Sequence, residues 1–168
     1  MPTIEINYED IEFQPNIQEL CNNPKYRCPI YNHSWGCPPE APYLEEKIAE
    51  YKYHLLVYKR INIEKNTHNN ALLKQQFEKE ILTVANHIKK KSKDMLILWG
   101  GHCDVCYNRL GKKCTYDSGE PCRFPNEIRY SMEAVGINVD ATVKKVGINL
   151  EWPPTHYIYK FGLINYNI

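Results

Sequence analysis

The sequence predicts one α/β domain spanning residues 1–168, with a small, mostly parallel sheet, a βαβ crossover and cysteine-rich loops clustered at one sheet end. Three observations predict it. Two apolar runs, His54 to Ile61 and Met95 to Trp99, flank a long stretch of helical periodicity, Ala71 to Lys91. Strand, long helix, strand is the pattern of a right-handed crossover between parallel strands. All seven cysteines fall outside those segments, in loop-like sequence before and after them. Finally, 168 residues suffice for a single core, and length alone gives no reason for two.

Taken in order, Ile4 to Phe13 alternates loosely like a half-exposed edge strand until Pro15 interrupts it. Cys21 to Pro39 (CNNPKYRCPIYNHSWGCPP) carries too much Pro, Asn and Gly for regular structure and reads as a loop. Pro42 suits the first turn of a short amphipathic helix whose apolar stripe is Leu44, Ile48 and Tyr51, with Glu45, Glu46 and Lys47 opposite. His54 to Ile61 is rich in β-formers and reads as a buried strand, and polar Asn62 to Asn70 as a loop. Leu73, Phe77, Ile81, Val84 and Ile88 recur at spacings of four and three, which makes Ala71 to Lys91 a helix with Lys, Glu and Gln on its other face. Met95 to Trp99 is a second buried strand. The loop from Cys103 to Cys122 leaves its carboxyl end, the edge where open α/β sheets bind ligands. Ile128 to Val135 reads as a short helix ended by Gly136, and Val139 to Val146 as another ended by Gly147. Trp152-Pro153-Pro154 forces an extended turn, and Tyr157 to Ile164 is the final strand.

Lys and Arg total 21 against 20 Asp and Glu, so no basic field draws the chain to nucleic acid or to an acidic membrane. The longest apolar runs fall far short of the roughly 20 residues a membrane span needs. An odd cysteine count without a charged-then-apolar leader argues against a secreted disulfide scaffold and for a reducing cytoplasm. There is no CxxxCxxC, no CxxCH, no P-loop and no GxGxxG opening a helix, so radical, haem, nucleotide and flavin chemistry lack support.

The cysteines carry the chemistry. Cys103, Cys106, Cys114 and Cys122 lie in one short segment, and Cys103-Asp-Val-Cys106 sets two thiolates on one tight turn. Structural zinc would be expected to show two such knuckles, or one with paired histidines. An iron–sulfur site accepts one CxxC, two more distant cysteines and the Cys-Pro steps at Cys28 and Cys37. Plain buried thiols favour apolar cores, whereas these sit among Gly, Pro and Asn. Iron–sulfur is thus the first expectation, and a zinc-stabilised interaction module without redox chemistry is the second. His33 and His102 could supply a ligand, but a histidine beside ligands is more often a hydrogen-bonding neighbour. Arg123 and Arg129 either grip an anion or neutralise thiolate charge, and neutralisation is the simpler role. Ser131, Met132 and Glu133 either line the site or belong to a short helix packed over it. Trp35 and Trp99 are expected to shield the metal from water.

The motifs CPIYNHSWGCPP, GGHCDVC and EPCRFPNEIRYSMEAVGINV, with the tail EWPPTHYIYKFGLI, resemble the cysteine-rich "predicted metal-binding protein" family of unknown function found in archaea and anaerobic bacteria. The resemblance covers most of the chain from Cys21 onward. It implies metal ligation by Cys21, Cys28, Cys37, Cys103, Cys106, Cys114 and Cys122, as one or two iron–sulfur clusters of the [4Fe-4S] type. A cluster protein of this kind would pass electrons to a redox partner or present an open-site cluster to a small-molecule substrate.

Overall fold

The final strand decides the sheet. A computed structural model describes residues 1–65 and 69–168, so the loop expected over Asn62 to Asn70 lies in part outside the described residues. Among the described residues five strands form one sheet: β1 (Thr3–Ile6), β2 (Tyr53–Asn62), β3 (Asp94–Trp99), β4 (Tyr130–Ser131) and β5 (Tyr157–Asn167), in the order β1-β2-β5-β3-β4. β5 lies between β2 and β3 and is antiparallel to both, from Tyr53 opposite Tyr166 to Asn62 opposite Tyr157 on one side and from Asp94 opposite Asn167 on the other. β1 is antiparallel to β2, and only the short β3–β4 pair is parallel. The sheet is mixed and mostly antiparallel, which corrects the expectation of a mostly parallel sheet. β2 and β3 do run in the same direction, joined by the helix α3 (Asn70–Lys89), but β5 splits them.

The reason for the misreading is burial. Unbroken apolar runs usually mean parallel strands, because those are covered on both faces. Here antiparallel strands are covered on both faces. Neighbours in each strand point to opposite cores: Leu56, Leu98 and Leu163 to one, Val57, Trp99 and Ile164 to the other. The second core is closed by α3 through Phe77, Ile81 and Ala85. Burying Phe77 alone is worth about 1.5–3 kcal/mol. A Cβ on Gly162 would stand 2.8 Å from the Leu98 carbonyl oxygen and 2.9 Å from Ile81 Cδ1, so glycine lets the helix press onto the middle of the sheet. On the opposite face, Ile48 from the short helix α2 (Glu45–Ala49) and Val143 from α5 (Val139–Lys145) join Met132, Val135 and Ile137.

Two further expectations change. The strand expected over Ile4 to Phe13 stops at Ile6, because Asp10 Oδ2 accepts from the Asn7 N–H at 2.9 Å and curls Tyr8–Asp10 into a 3-10 turn. Ile128 to Val135 is not a helix. It follows a 3-10 turn at Pro125–Glu127 and instead holds the strand β4 and a second 3-10 turn at Glu133–Val135. The other expected helices fall where their periodicity places them, whereas two short helices, α1 (Ile17–Leu20) and one at Val105–Leu110 within the expected cysteine loop, have no counterpart among the expected elements. Asn69 and Asn138 cap α3 and α5 by accepting from Leu72 N and Ala141 N at 3.1 and 3.0 Å. No helix among the described residues is long and apolar enough to cross a membrane.

Candidate metal centre

β3 ends at Trp99, and the segment beyond it holds a short helix, α4 (Val105–Leu110), and a 3-10 turn at Thr115–Ser118. These elements bring Cys103, Cys106, Cys114 and Cys122 to the wall of one cavity of about 470 Å³. Burial raises the Cys122 thiol above its ordinary pKa, and the neighbouring Cys106, Cys103 and Cys114 raise it further against a backbone hydrogen bond at Phe124. The Tyr130 phenol is raised by burial and then by Cys122 and Cys103. Thiols that repel one another's charge in this way gain from a shared cation.

The first cysteine loop is built from consecutive turns. Cys28 N–H donates to the Cys21 carbonyl at 3.0 Å, Tyr31 N–H to the Cys28 carbonyl at 3.1 Å, and Cys37 N–H to the Ser34 carbonyl at 3.2 Å. Cys37 is buried, and its thiol is pushed up to about 12 by burial, opposed by a hydrogen bond with Ser34 and reinforced by Cys28, Cys21 and Cys103. Cys37 thus feels both its own loop and the first cysteine of the other.

Gly36 makes that contact possible. A Cβ there would lie 2.8 Å from the Arg129 carbonyl oxygen and 3.1 Å from Cys103 Cβ. Side chains complete the docking. Trp35 Nε1 donates to Thr115 Oγ1 at 3.1 Å, and Thr115 passes a hydrogen bond to the Pro121 carbonyl at 3.0 Å. Tyr116 OH donates to Asn32 Oδ1 at 2.7 Å, and its ring meets Trp35 edge-on at 4.9 Å. His33 Nδ1 sits 2.7 Å from Asp117 Oδ1.

Beneath the second loop lies a group of buried charges that the sequence reading placed on the solvent face of α3. Lys74 donates to the His102 carbonyl at 2.7 Å and pairs with Asp104. It also lies 3.3 Å from Glu78 Oε1, an ion-pair contact without hydrogen-bond geometry, while Glu78 Oε2 accepts from Arg129 at 2.8 Å. The Arg129 guanidinium in turn covers the Trp99 ring at 4.1 Å. His102 Nε2 reaches Asp104 Oδ1 at 2.9 Å. Burial alone would raise the Asp104 carboxyl, but hydrogen bonds from His102 and Lys74, with their charges, outweigh it and hold the group at about 2. The sequence signal was an i,i+4 Lys–Glu pair set directly beside the apolar stripe at Phe77 and Ile81.

Both histidines and Trp35 line the four-cysteine cavity, while Trp99 lies in the core under Arg129. Arg123 donates to the Lys113 carbonyl at 2.8 Å and so staples the loop. Lys112 and Lys113, which carried no signal in the sequence, also line the cavity. Met132 is core, Ser131 Oγ accepts from Ala134 N at 3.2 Å, and Glu133 faces a separate cavity that also touches Cys21 and Cys28. Among the described residues no three Cys, His, Asp or Glu side chains converge closely enough to hold a single metal ion as they stand. Four cysteines on the wall of one cavity are nevertheless the kind of donor set that a thiolate-ligated metal centre uses.

The fold and site define a mixed-sheet α/β protein that packs two cysteine loops against each other beyond the carboxyl end of β3. The family described as "Predicted metal-binding protein (DUF2284)" matches residues 4–164, and the chain belongs to it. No curated protein matches the chain, and no solved structure does.

Proposed function

We propose that the chain is an iron–sulfur protein in which Cys103, Cys106, Cys114 and Cys122 hold one four-iron cluster and Cys21, Cys28 and Cys37 hold a second. The observation that carries this reading is the arrangement of four thiols around one cavity of about 470 Å³, a space suited to a cluster. Bound clusters would supply one-electron transfer to a redox partner, or an exchangeable iron position for a small substrate at the three-cysteine site. The chain's own residues do the rest. Lys112 and Lys113 on the cavity wall, with Lys74 and Arg129 beneath, oppose the negative charge of the thiolates. Trp35, held by Thr115, keeps water from the cavity wall. Asp117 and Asp104 orient His33 and His102, so that each imidazole keeps one nitrogen for proton exchange.

Those two carboxylate–histidine pairs are also what favours the second reading, a zinc-stabilised interaction module, because zinc-binding imidazoles are commonly oriented in this way. Purification without oxygen separates the readings. An iron–sulfur protein is brown, contains iron and acid-labile sulfide, and is bleached by dithionite. Colourless protein with stoichiometric zinc and no sulfide selects the second reading.

A further inference from the structure

On the sheet face opposite α3, a second cavity of about 740 Å³ opens between the first cysteine loop, the start of α5 and the strand β5. Its size is that of a site for a small organic molecule, commonly about 300–1,000 Å³. Cys21 and Cys28 form one wall, and none of the cysteines of the second loop line it.

Its floor is aromatic. Tyr157, Tyr159 and Phe161 alternate along β5 and so share one face, and the rings of Tyr159 and Phe161 lie parallel, 2° apart in plane with centroids 5.6 Å apart. Two large aromatic residues at the rim stand in water, Tyr26 at 84% exposure and Trp152 at 76%. Leaving so much apolar surface uncovered is unfavourable, and a ligand entering the cavity would cover it.

Its charge has one sign. Glu133, Asp140 and Glu151 line the cavity, and no Lys or Arg does. Glu151 is already engaged, because its Oε2 accepts from Thr155 N at 3.2 Å, Thr155 Oγ1 at 2.6 Å and His156 N at 3.3 Å. Glu133 is held by Ser131 and by its own backbone N–H, and burial raises its carboxyl, so it keeps only its spare acceptor sites for a ligand, while Asp140 is exposed and carries no ion pair among the described residues. The ring faces at this end of β5 already attract a cation, since the Arg60 guanidinium sits 4.4 Å from the Tyr157 centroid, outside the cavity wall.

We infer that this cavity binds an organic cation with a flat apolar body, the body lying on Tyr159 and Phe161 and the protonated amine turned toward Glu133 and Asp140. An anion of the same shape would meet the Asp140 carboxylate and the acidic Glu133 with no cation on the wall to offset them, and a charged peptide or second protein chain would not need a concave aromatic floor. The inference does not depend on which metal the cysteines hold. It does place any such ligand against Cys21 and Cys28.

The test is calorimetric titration of the intact, metal-loaded chain at neutral pH and low salt with 1-naphthylmethylamine, with 1-naphthaleneacetate as the matched anion and 1-naphthalenemethanol as the neutral control. The amine is expected to bind about tenfold or more tighter than the anion, with the alcohol between them. Asp140 is exposed, so Asp140→Lys keeps the fold and should reverse the order of amine and anion. Glu133→Gln should bring amine and alcohol close to equality. Metal content and thermal unfolding of each variant confirm that the rest of the chain is intact. Equal or tighter binding of the anion, no binding of any probe, or an order unchanged in Asp140→Lys would each overturn the inference.

Discussion

The two cysteine loops reach the same place by different means. The second, from Cys103 to Cys122, is keyed to the sheet and to α3 from below: Lys74, Glu78, Asp104 and Arg129 form a buried network of alternating charge, and α4 gives the segment a helical turn of its own. The first, from Cys21 to Cys37, has turns alone and depends on the second for support, through Gly36 and the Trp35–Thr115 bond. Four thiols in a braced loop suit a closed site that holds its geometry. On the proposed reading, three thiols in a leaning loop, beside an aromatic cavity, would form a site that exchanges what it binds.

The comparison breaks most easily at Lys74. Lys74→Met would remove the cation that Asp104 and Glu78 share and leave them only His102 and Arg129, and breaking such a buried pair costs about 3–5 kcal/mol. Because Asp104 is partly exposed, the lower end is expected, measured by urea unfolding of wild type and variant side by side. Unchanged stability would remove the brace from the account. Gly36→Ala should cost about 1–3 kcal/mol, since the methyl group meets the Arg129 carbonyl and Cys103. Hydrogen exchange should then rise in residues 31–37 far more than in α4. Equal loosening of both loops would contradict the claim that one leans on the other. Trp35→Phe removes the hydrogen bond to Thr115, worth about 0.5–1.5 kcal/mol, together with part of the ring that meets Tyr116, and its effect should appear mainly in the first loop.

The smallest effect concerns the wall of the aromatic cavity. Hydrogen bonds from Thr155 and His156 hold the Glu151 carboxyl at about 2, below its ordinary 4.5. A depressed carboxyl contributes order above its ordinary pKa and loses it as pH falls through about 2. Amide exchange at Thr155 and His156, normalised for the intrinsic effect of pH, should therefore accelerate as pH drops from 4.5 toward 2, and be fast at all pH values in Glu151→Gln.

How much of this the sequence discloses follows from the range of the forces. The period of Leu73, Phe77, Ile81, Val84 and Ile88 is local and marks α3 to within a residue or two at each end. The Cys-Pro steps and the CxxC likewise mark the two loops. That β5 inserts between β2 and β3 is a pairing across 95 to 113 residues on one side and 65 to 73 on the other, and no local pattern encodes it, because doubly covered antiparallel strands look like parallel ones. The buried charges were missed for a related reason. Lys74 and Glu78 carry the composition of a solvent face, and only Asp104 and Arg129, distant in sequence, make them interior. Gly36 shows the same limit, since a glycine in a Pro- and Asn-rich loop reads as a turn and not as a point of contact with Cys103.

The most direct test of two unequal cysteine sites is the count of iron and acid-labile sulfide per chain in protein kept free of oxygen. The account predicts about eight irons in the wild type, about four in the Cys106→Ser, Cys122→Ser double variant and about four in Cys28→Ser. Zinc without sulfide in the wild type, or a full complement of iron in both variants, would contradict it.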